Sequence, residues 1–586
     1  MTGNLSSFAQ RFGQWFETCS RAVRTALGQA QMSEISTTLT SDGPSPPAVT
    51  LARLFTYLLP RLASAKAVPP WPPDLFALCM SALHQSGAYC AVLKNWPPNG
   101  ASASEWAEEV EKLGTSWLSN WPRIEVPSEV TKLWDKVLTG WDLAVADLGK
   151  DENLLVCQSL LEICAIADEA CAGMGTPGPH YEEDETPERI QKIEELFSHV
   201  DTILQRDRNG STLCDEIDTG SLRVLPKMRT PQTGLTIRSL SHHLSLCSAN
   251  EVKPKWILRS YRPEQALALN LLLVPWPTRV APIQFTPTRG LSQEMGNMED
   301  EEFGFFTFAH GDSGVAPDIE TLMTNASNLV GPIHGVVLPE LALSPEQYTG
   351  VRDKVLARGS FLISGVGTCS EPGLKHGKNF ISVDFPRYKE PLSQSKHHRW
   401  RLDHNQLSQY GLGSRLYSEK KWWEHIDVHN RELMFISMLQ WLVFSVLICE
   451  DLSRPDPIGD LVRAVGPNLV IALLMDGPQL KQRWGARFAS VLADDPGCSV
   501  LTLTSLGMCD LSWPTDDSVR RSRVIALWKD AEKGATEIEL PEGKDAVVIS
   551  LNVRYKEEWA ADGRSDHKNA GYPILSGIHP VSLASK

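Results

Sequence analysis

From about residue 255 onward, short apolar runs alternate with helical patterns, and this texture limits the fold more than any other feature of the chain. The runs are "LALNLLLVPW", "GVVLPE", "FLISGVG", "NFISVDF", "LVFSVLIC", "NLVIALL", "CSVLTLT" and "AVVISLNV". They are too short for helices, rich in β-branched residues and apolar almost throughout, as strands buried on both faces must be. Between them "IETLMTNASNLV", "IGDLVRAV" and "RWGARFASVLAD" carry the apolar spacing of covering helices. Strand and helix in alternation predict a layered α/β domain. With 586 residues, the chain exceeds one ordinary core, so at least two units are expected.

Residues 1–250 read differently. Their patterns are helical and punctuated by the breakers "SDGPSPP", "AVPPWPP", "NWPPNG" and "GMGTPGPHYEEDETPER", the last placing a subdomain break near 174–189. The first stretch spaces Leu5, Phe8, Phe12, Trp15, Phe16, Cys19, Val23 and Leu27 as one face of an amphipathic helix. It suits either a packed or partner-docking helix, or a helix lying on a membrane surface. Trp71, Trp96, Trp106, Trp117, Trp121, Trp134 and Trp141 fall here at helical intervals among acidic neighbours, which suits core packing rather than base stacking. The acidic runs "YEEDE" and "MEDEE" read as solvated loops, and residues 556–586 as a C-terminal tail.

Composition excludes several functions. A formal charge of -15 argues against a protein built to grip phosphate backbones, so a nucleic-acid partner is not expected. The 12 cysteines contain no CxxC pair, and the start lacks the order of a secretory signal, so the thiols read as reduced and the protein as cytoplasmic. No run of about 18 apolar residues occurs, so no membrane span is expected. Cys157, Cys164 and Cys171 recur every seven residues, but successive members of such a stripe stand about 10.5 Å apart along a helix and cannot share one ion. They read as core, and neither a metal nor another cofactor is expected.

Three segments carry chemistry. In "HGVVLPELALSPEQY" a strand runs into Pro339 and Glu340; in "PLSQSKHHRWRLD" Lys396 precedes two histidines; in "SVLICEDLSRP" Cys449 ends an apolar run before two acids. Strand exits are where α/β domains place reactive groups. Singly, each residue has a plainer reading: a capping or salt-bridged acid, a surface cation, a buried thiol. Together, and in this order, they resemble the carbon-nitrogen hydrolase, or nitrilase, superfamily over roughly residues 262–555. The resemblance implies an αββα sandwich that often pairs with a second copy, hence a homo-oligomer, and attack on an amide or nitrile carbon of a small substrate. It also implies roles: Cys449 as nucleophile, Glu340 as base and Lys396 as the cation that stabilises developing charge.

This chain departs from the family pattern in its intervals. Lys396 follows Glu340 by 56 residues, a shorter interval than the family's, and Cys449 follows Lys396 by 53, a longer one. A second glutamate usually follows the lysine, and the nearby acids Asp403 and Glu419 do not stand in its place. His397 and His398 read as packing groups, since no partner lies at metal-ligand spacing. Asp494 and Asp495 in "VLADD" read as a helix end and turn. Three functions stay open: a cytoplasmic thiol amidohydrolase whose helical half gates substrate or docks a protein partner; a non-catalytic scaffold or interaction protein, conceivably in a prokaryotic defence system; and a glutamine-using ligase, against which the chain offers no Gly-rich phosphate loop.

Overall fold

The structure, a computed structural model, describes residues 48–178, 185–248, 251–261, 268–288, 303–310, 316–368, 377–513, 521–567 and 570–584. The amphipathic stretch 5–27, "MEDEE" and all but the last residue of "YEEDE" lie outside these. Residues 50–586 form one compact unit.

Among the described residues, the apolar runs build two seven-stranded mixed sheets. In spatial order the first contains Leu392–Ser395, Lys378–Asp384, Phe361–Thr368, Gly335–Leu343, Ala268–Leu273, Ala546–Tyr555 and Gly571–Val581. The second contains Thr536–Glu539, Val524–Lys529, Ser499–Thr504, Leu469–Leu474, Leu442–Ile448, Glu432–Leu439 and Lys253–Leu258. Successive side chains on a strand point to opposite faces. Leu271, Leu273, Val337 and Ile363 therefore join one core with Val443, Phe444 and Val446 of the second sheet. Their neighbours Leu272, Val336, Leu338 and Leu362 pack under helices Ile319–Val330 and Pro345–Ala357. Helix Trp484–Asp494 covers the second sheet at Ser499–Thr504 and Val524–Lys529. The order is helix, sheet, sheet, helix: a layered α/β domain, as the alternation implies, with the αββα order that the resemblance implies.

Ahead of the sandwich stands a helical array. Its central helix, Leu154–Glu169, is touched by Pro72–Ser86, Ala103–Trp117 and Ser128–Thr139. Trp71, Trp106, Trp117 and Trp134 are buried, and indole N–H groups reach backbone: Trp117 donates to the Pro70 carbonyl at 3.0 Å and Trp134 to that of Lys66 at 2.8 Å. Cys157, Cys164 and Cys171 are buried, and burial pushes the Cys157 thiol up to about 12. Helix Trp484–Asp494 ends where "VLADD" places a helix end, and Asp495 is held by Arg238.

Three boundaries differ from the sequence reading. Helix ends at Arg206, and Leu222–Pro226 pairs with Leu244–Ser248 as an antiparallel hairpin, so residues 207–248 do not continue the helical array. The Lys253–Leu258 strand belongs to the second sheet although it precedes residue 262. The segment 556–586 is no tail: Gly571–Val581 is an edge strand of the first sheet. Two prolines and a glycine mask that strand in the sequence, and an edge position is where a sheet tolerates them. No single helix among the described residues is long and apolar enough to cross a membrane.

A buried ionic hub joins array and sandwich. Asp168, at the end of the central helix, accepts the backbone N–H groups of His242, His243 and Leu244 at 2.7, 2.9 and 2.8 Å. Arg564 reaches Asp168 at 3.1 Å and Asp562 at 2.9 Å. Removing one partner from such a cluster strands the others' charge in low dielectric. Arg564→Ala is expected to cost about 3–5 kcal/mol in urea denaturation, whereas exposed Arg123→Ala is expected to stay within about 0.5 kcal/mol of the parent.

Candidate active site

Glu340 sits on Gly335–Leu343, a strand buried along its whole length. Pairing with Phe361–Thr368 slips between Leu338 and Leu343, and Leu341 takes a φ of 51°. Such a bulge re-aims a side chain. The neighbouring strand makes room for it with glycine: a Cβ on Gly365 would stand 2.4 Å from the Pro339 carbonyl oxygen and 2.6 Å from Glu340 Cα.

Cys449 follows Leu442–Ile448, a buried strand parallel to Leu469–Leu474, and opens a tight turn to Ser453. Its φ is 44°. That left-handed conformation costs a residue with a side chain on the order of 1–3 kcal/mol. Of the four described non-glycine residues with positive φ, one is Cys449 and another is Leu341, next to Glu340. Two of the four thus fall at the site.

Lys396 is wholly buried and bridges two carboxylates, donating to Glu340 Oε1 at 2.7 Å and to Glu424 Oε2 at 2.7 Å. Asn379 closes the ring: its Nδ2 donates to Glu340 Oε1 at 2.7 Å and Glu424 Oε1 at 2.8 Å. Glu424 also accepts from the backbone N–H of Trp400 at 3.2 Å. Both oxygens of Glu424 are therefore engaged. Those of Glu340 are not, because Oε2 is buried without a hydrogen-bond partner.

Asp451, two residues past the cysteine, accepts the backbone N–H groups of His397 and His398 at 3.1 and 3.0 Å and faces His398 Nδ1 at 2.8 Å. It pins the lysine segment to the cysteine turn. The two histidines are packing groups of this clamp, with His397 Nε2 2.8 Å from the Glu432 carbonyl oxygen.

The charges are tightly coupled. Burial lowers the pKa of Lys396, but Glu340 and Glu424 outweigh it and hold the ammonium well above its ordinary range. Burial raises the Glu340 carboxyl, Glu424 adds to the rise, and Lys396 opposes it. The Cys449 thiol is pushed well above its usual value by burial and then by the Glu340 charge, with Lys396 pulling it back. One ammonium beside two carboxylates leaves an excess negative charge while the sulfur stays protonated.

The structure thus puts Glu340 and Lys396 in contact and Cys449 within range of both their charges. The second carboxylate on the ammonium is Glu424, 28 residues beyond Lys396 and not among the acids the sequence singled out. Of the acids weighed from sequence, Asp403 caps helix His404–Gln409 and Glu419 is exposed. The alternation of "KWWEH" carried a signal, since it puts Glu424 on the same face as the buried Trp422. Asn379 had no such signal.

Fold and site define an αββα sandwich with a buried Glu–Lys–Glu ring beside a cysteine at a strand exit. No family model matches the chain, and none of the curated proteins does. Solved structures of the nitrilase superfamily resemble it over about half its length. Nit3 of Saccharomyces cerevisiae, from branch 10 of the superfamily, is 13% identical, with 50% of this chain and 93% of that one covered and a TM-score of 0.31. An amidase from Nesterenkonia sp. gives 13%, 49%, 92% and 0.29. The CN-hydrolase superfamily protein XC1258 from Xanthomonas campestris gives 13%, 54%, 91% and 0.25.

A carboxylate whose pKa is raised in the fold destabilises the protein above that pKa and not below the unfolded value, where it is neutral in both states. Glu340→Gln is therefore expected to stabilise the protein by about 1–2 kcal/mol near neutral pH. The advantage should fade as pH falls through the raised carboxyl pKa, as read from thermal melts across a pH series.

Proposed function

We propose that the chain is a thiol-dependent hydrolase of a carbon-nitrogen bond in an amide or nitrile. The observation that carries this reading is the vacant, buried Oε2 of Glu340 in a ring that otherwise satisfies its acceptors. A thiol with a raised pKa is a poor nucleophile until a base takes its proton. Glu340 Oε2 takes that proton as Cys449 Sγ bonds to the amide carbon. Two of the three Lys396 N–H groups are committed to carboxylates, and the third is left for the substrate oxygen. The backbone N–H of Glu450 is the proposed second donor.

The tetrahedral adduct collapses when Glu340 returns its proton to the departing nitrogen, and the C–N bond breaks to leave a thioester. Water then attacks the acyl carbon and gives a proton to Glu340. Cleavage of the C–S bond releases the acid, and the sulfur recovers its proton. A nitrile would pass through a thioimidate at the same sulfur. Asn379 and Glu424 hold the lysine in place. On this reading the substrate is small, the sandwich pairs with a second copy, and the helical array docks a protein partner or gates access.

Near-complete burial of Cys449, 3% exposed, favours a second reading, a sandwich that serves as a scaffold with a closed and idle site. One experiment separates them. Under hydrolysis, a small neutral haloacetamide is expected to label Cys449 in preference to exposed Cys90, and Glu340→Gln to slow that labelling and amide turnover by about 10²–10⁴-fold. Equal labelling of Cys449 in parent and variant, together with no ammonia release from a broad amide and nitrile panel, supports the scaffold instead.

A further inference from the structure

Glu424 reaches the ring from outside the sandwich. Between Lys396 and Glu424 the chain builds a separate insert: strand Arg401–Leu402, helix His404–Gln409 and strand Lys421–Glu424. The last strand runs parallel to Phe303–Phe308 in a four-stranded sheet of its own. That insert has its own apolar cluster, in which Trp400, Tyr410 and Trp422 meet Leu341, Met475 and Met508 from the strand ends of the sandwich.

Asp451 holds the start of the insert at His397 and His398, and the ring holds its end at Glu424; between them one further buried polar contact ties the body of the insert to the sandwich. The Tyr410 hydroxyl, on a side chain that is 2% exposed, donates to Asp476 Oδ1 at 2.7 Å. Asp476 is a rigid post just past the Leu469–Leu474 strand. Its carboxylate also accepts from Arg483 Nη2 at 2.6 Å and Trp484 Nε1 at 2.9 Å, and its carbonyl accepts from the Thr504 hydroxyl. Breaking the Tyr410 bond leaves a buried carboxylate short of a donor and frees the ring that wedges the insert against Met475.

We propose that Tyr410 and Asp476 are positioning residues: their hydrogen bond seats residues 399–423, beyond the segment that Asp451 holds, on the strand ends and thereby holds Glu424 against Lys396. The inference rests on the reading of the site as a hydrolase centre and explains how that centre is completed. With the insert unseated, Lys396 faces one carboxylate instead of two, and Glu340 loses the neighbour that raises its carboxyl. The charged and titratable groups that act most on the Cys449 sulfur include Glu340, Lys396, Glu450, Asp476 and Tyr410, and loss of Glu424, which competes for Lys396, leaves the ammonium freer to favour the thiolate.

The test uses the full chain, iodoacetamide as the probe of Cys449, and hydrogen exchange of peptides covering 404–424. Tyr410→Phe is expected to lower the pH midpoint of Cys449 labelling by about one unit and to raise exchange in 404–424 several-fold, with exchange elsewhere unchanged. Glu424→Gln should lower the midpoint similarly, and the double variant should fall no further than Glu424→Gln alone. A double variant that shows the sum of the two shifts, or unchanged exchange in 404–424, overturns the proposal. Asp476→Asn is read by exchange alone, because its carboxylate also acts on the Cys449 thiol: if Tyr410→Phe raises exchange throughout the chain, unchanged exchange in 404–424 of Asp476→Asn overturns the proposal. If Cys449 resists labelling in every variant, that result counts against the hydrolase reading alone, and the exchange data still decide the seating of the insert.

Discussion

Lys396 is an ammonium with no exposed surface, and the site takes its form from the need to satisfy it. Removing such an ion from water costs several kcal/mol even after relaxation, so opposite charge and hydrogen bonds must meet it inside. Two carboxylates do so at 2.7 Å each, which overcompensates one positive charge with two negative ones. Asn379 moderates the excess by donating to both. The overcompensation is what makes the ring chemically uneven. Glu424 has both oxygens engaged, while Glu340 keeps one oxygen unpaired. A ring with one carboxylate fewer would be electrostatically quieter.

Local strain follows from the same demand. The backbone turns into the left-handed region at Cys449 and again beside Glu340. Neither turn is stable by itself, and each persists because its strand is buried along its length and paired on both sides, Gly335–Leu343 with two parallel neighbours and Leu442–Ile448 with one parallel and one antiparallel. Gly365 is the clearest trace of this in the sequence, since a glycine inside a buried strand reports a backbone that comes too close for a side chain.

What was legible in the sequence had a local cause. Glu340 and Cys449 end apolar runs, Lys396 follows a short strand, and alternation of run and helix implied the layers. Glu424 was hidden because a folded insert separates it from Lys396, and no local pattern states where such an insert returns. The hairpin Leu222–Pro226 with Leu244–Ser248 was missed beside strongly periodic helices. The last strand was missed because Pro573, Gly577 and Pro580 look like breakers, and its pairing with Ala546–Tyr555 is a long-range fact. The Asp168–Arg564 hub, whose residues stand 396 positions apart in sequence, was equally unreadable.

The site is shared between two sheets, and this sets what the fold must control. Glu340, Asn379 and Lys396 belong to the first sheet or its exits, while Cys449 belongs to the second. Apolar packing such as the stack of Phe361 on Phe444 holds sheets together but specifies their relative position loosely, because dispersion and hydrophobic burial are not directional. Directional contacts next to the site supply the missing precision. Gln394 of the first sheet donates to the Val446 carbonyl at 2.8 Å and accepts from the Met434 N–H at 2.8 Å, both in the second sheet. Asp451 ties the segment after Lys396 to the turn after Cys449. These two residues therefore bridge the sheets on either side of Lys396, two positions before it and at the segment just after it. A buried hydrogen bond tolerates displacements of only a few tenths of an ångström, so the distance between acid and sulfur is governed by these staples rather than by the larger area of apolar contact around them.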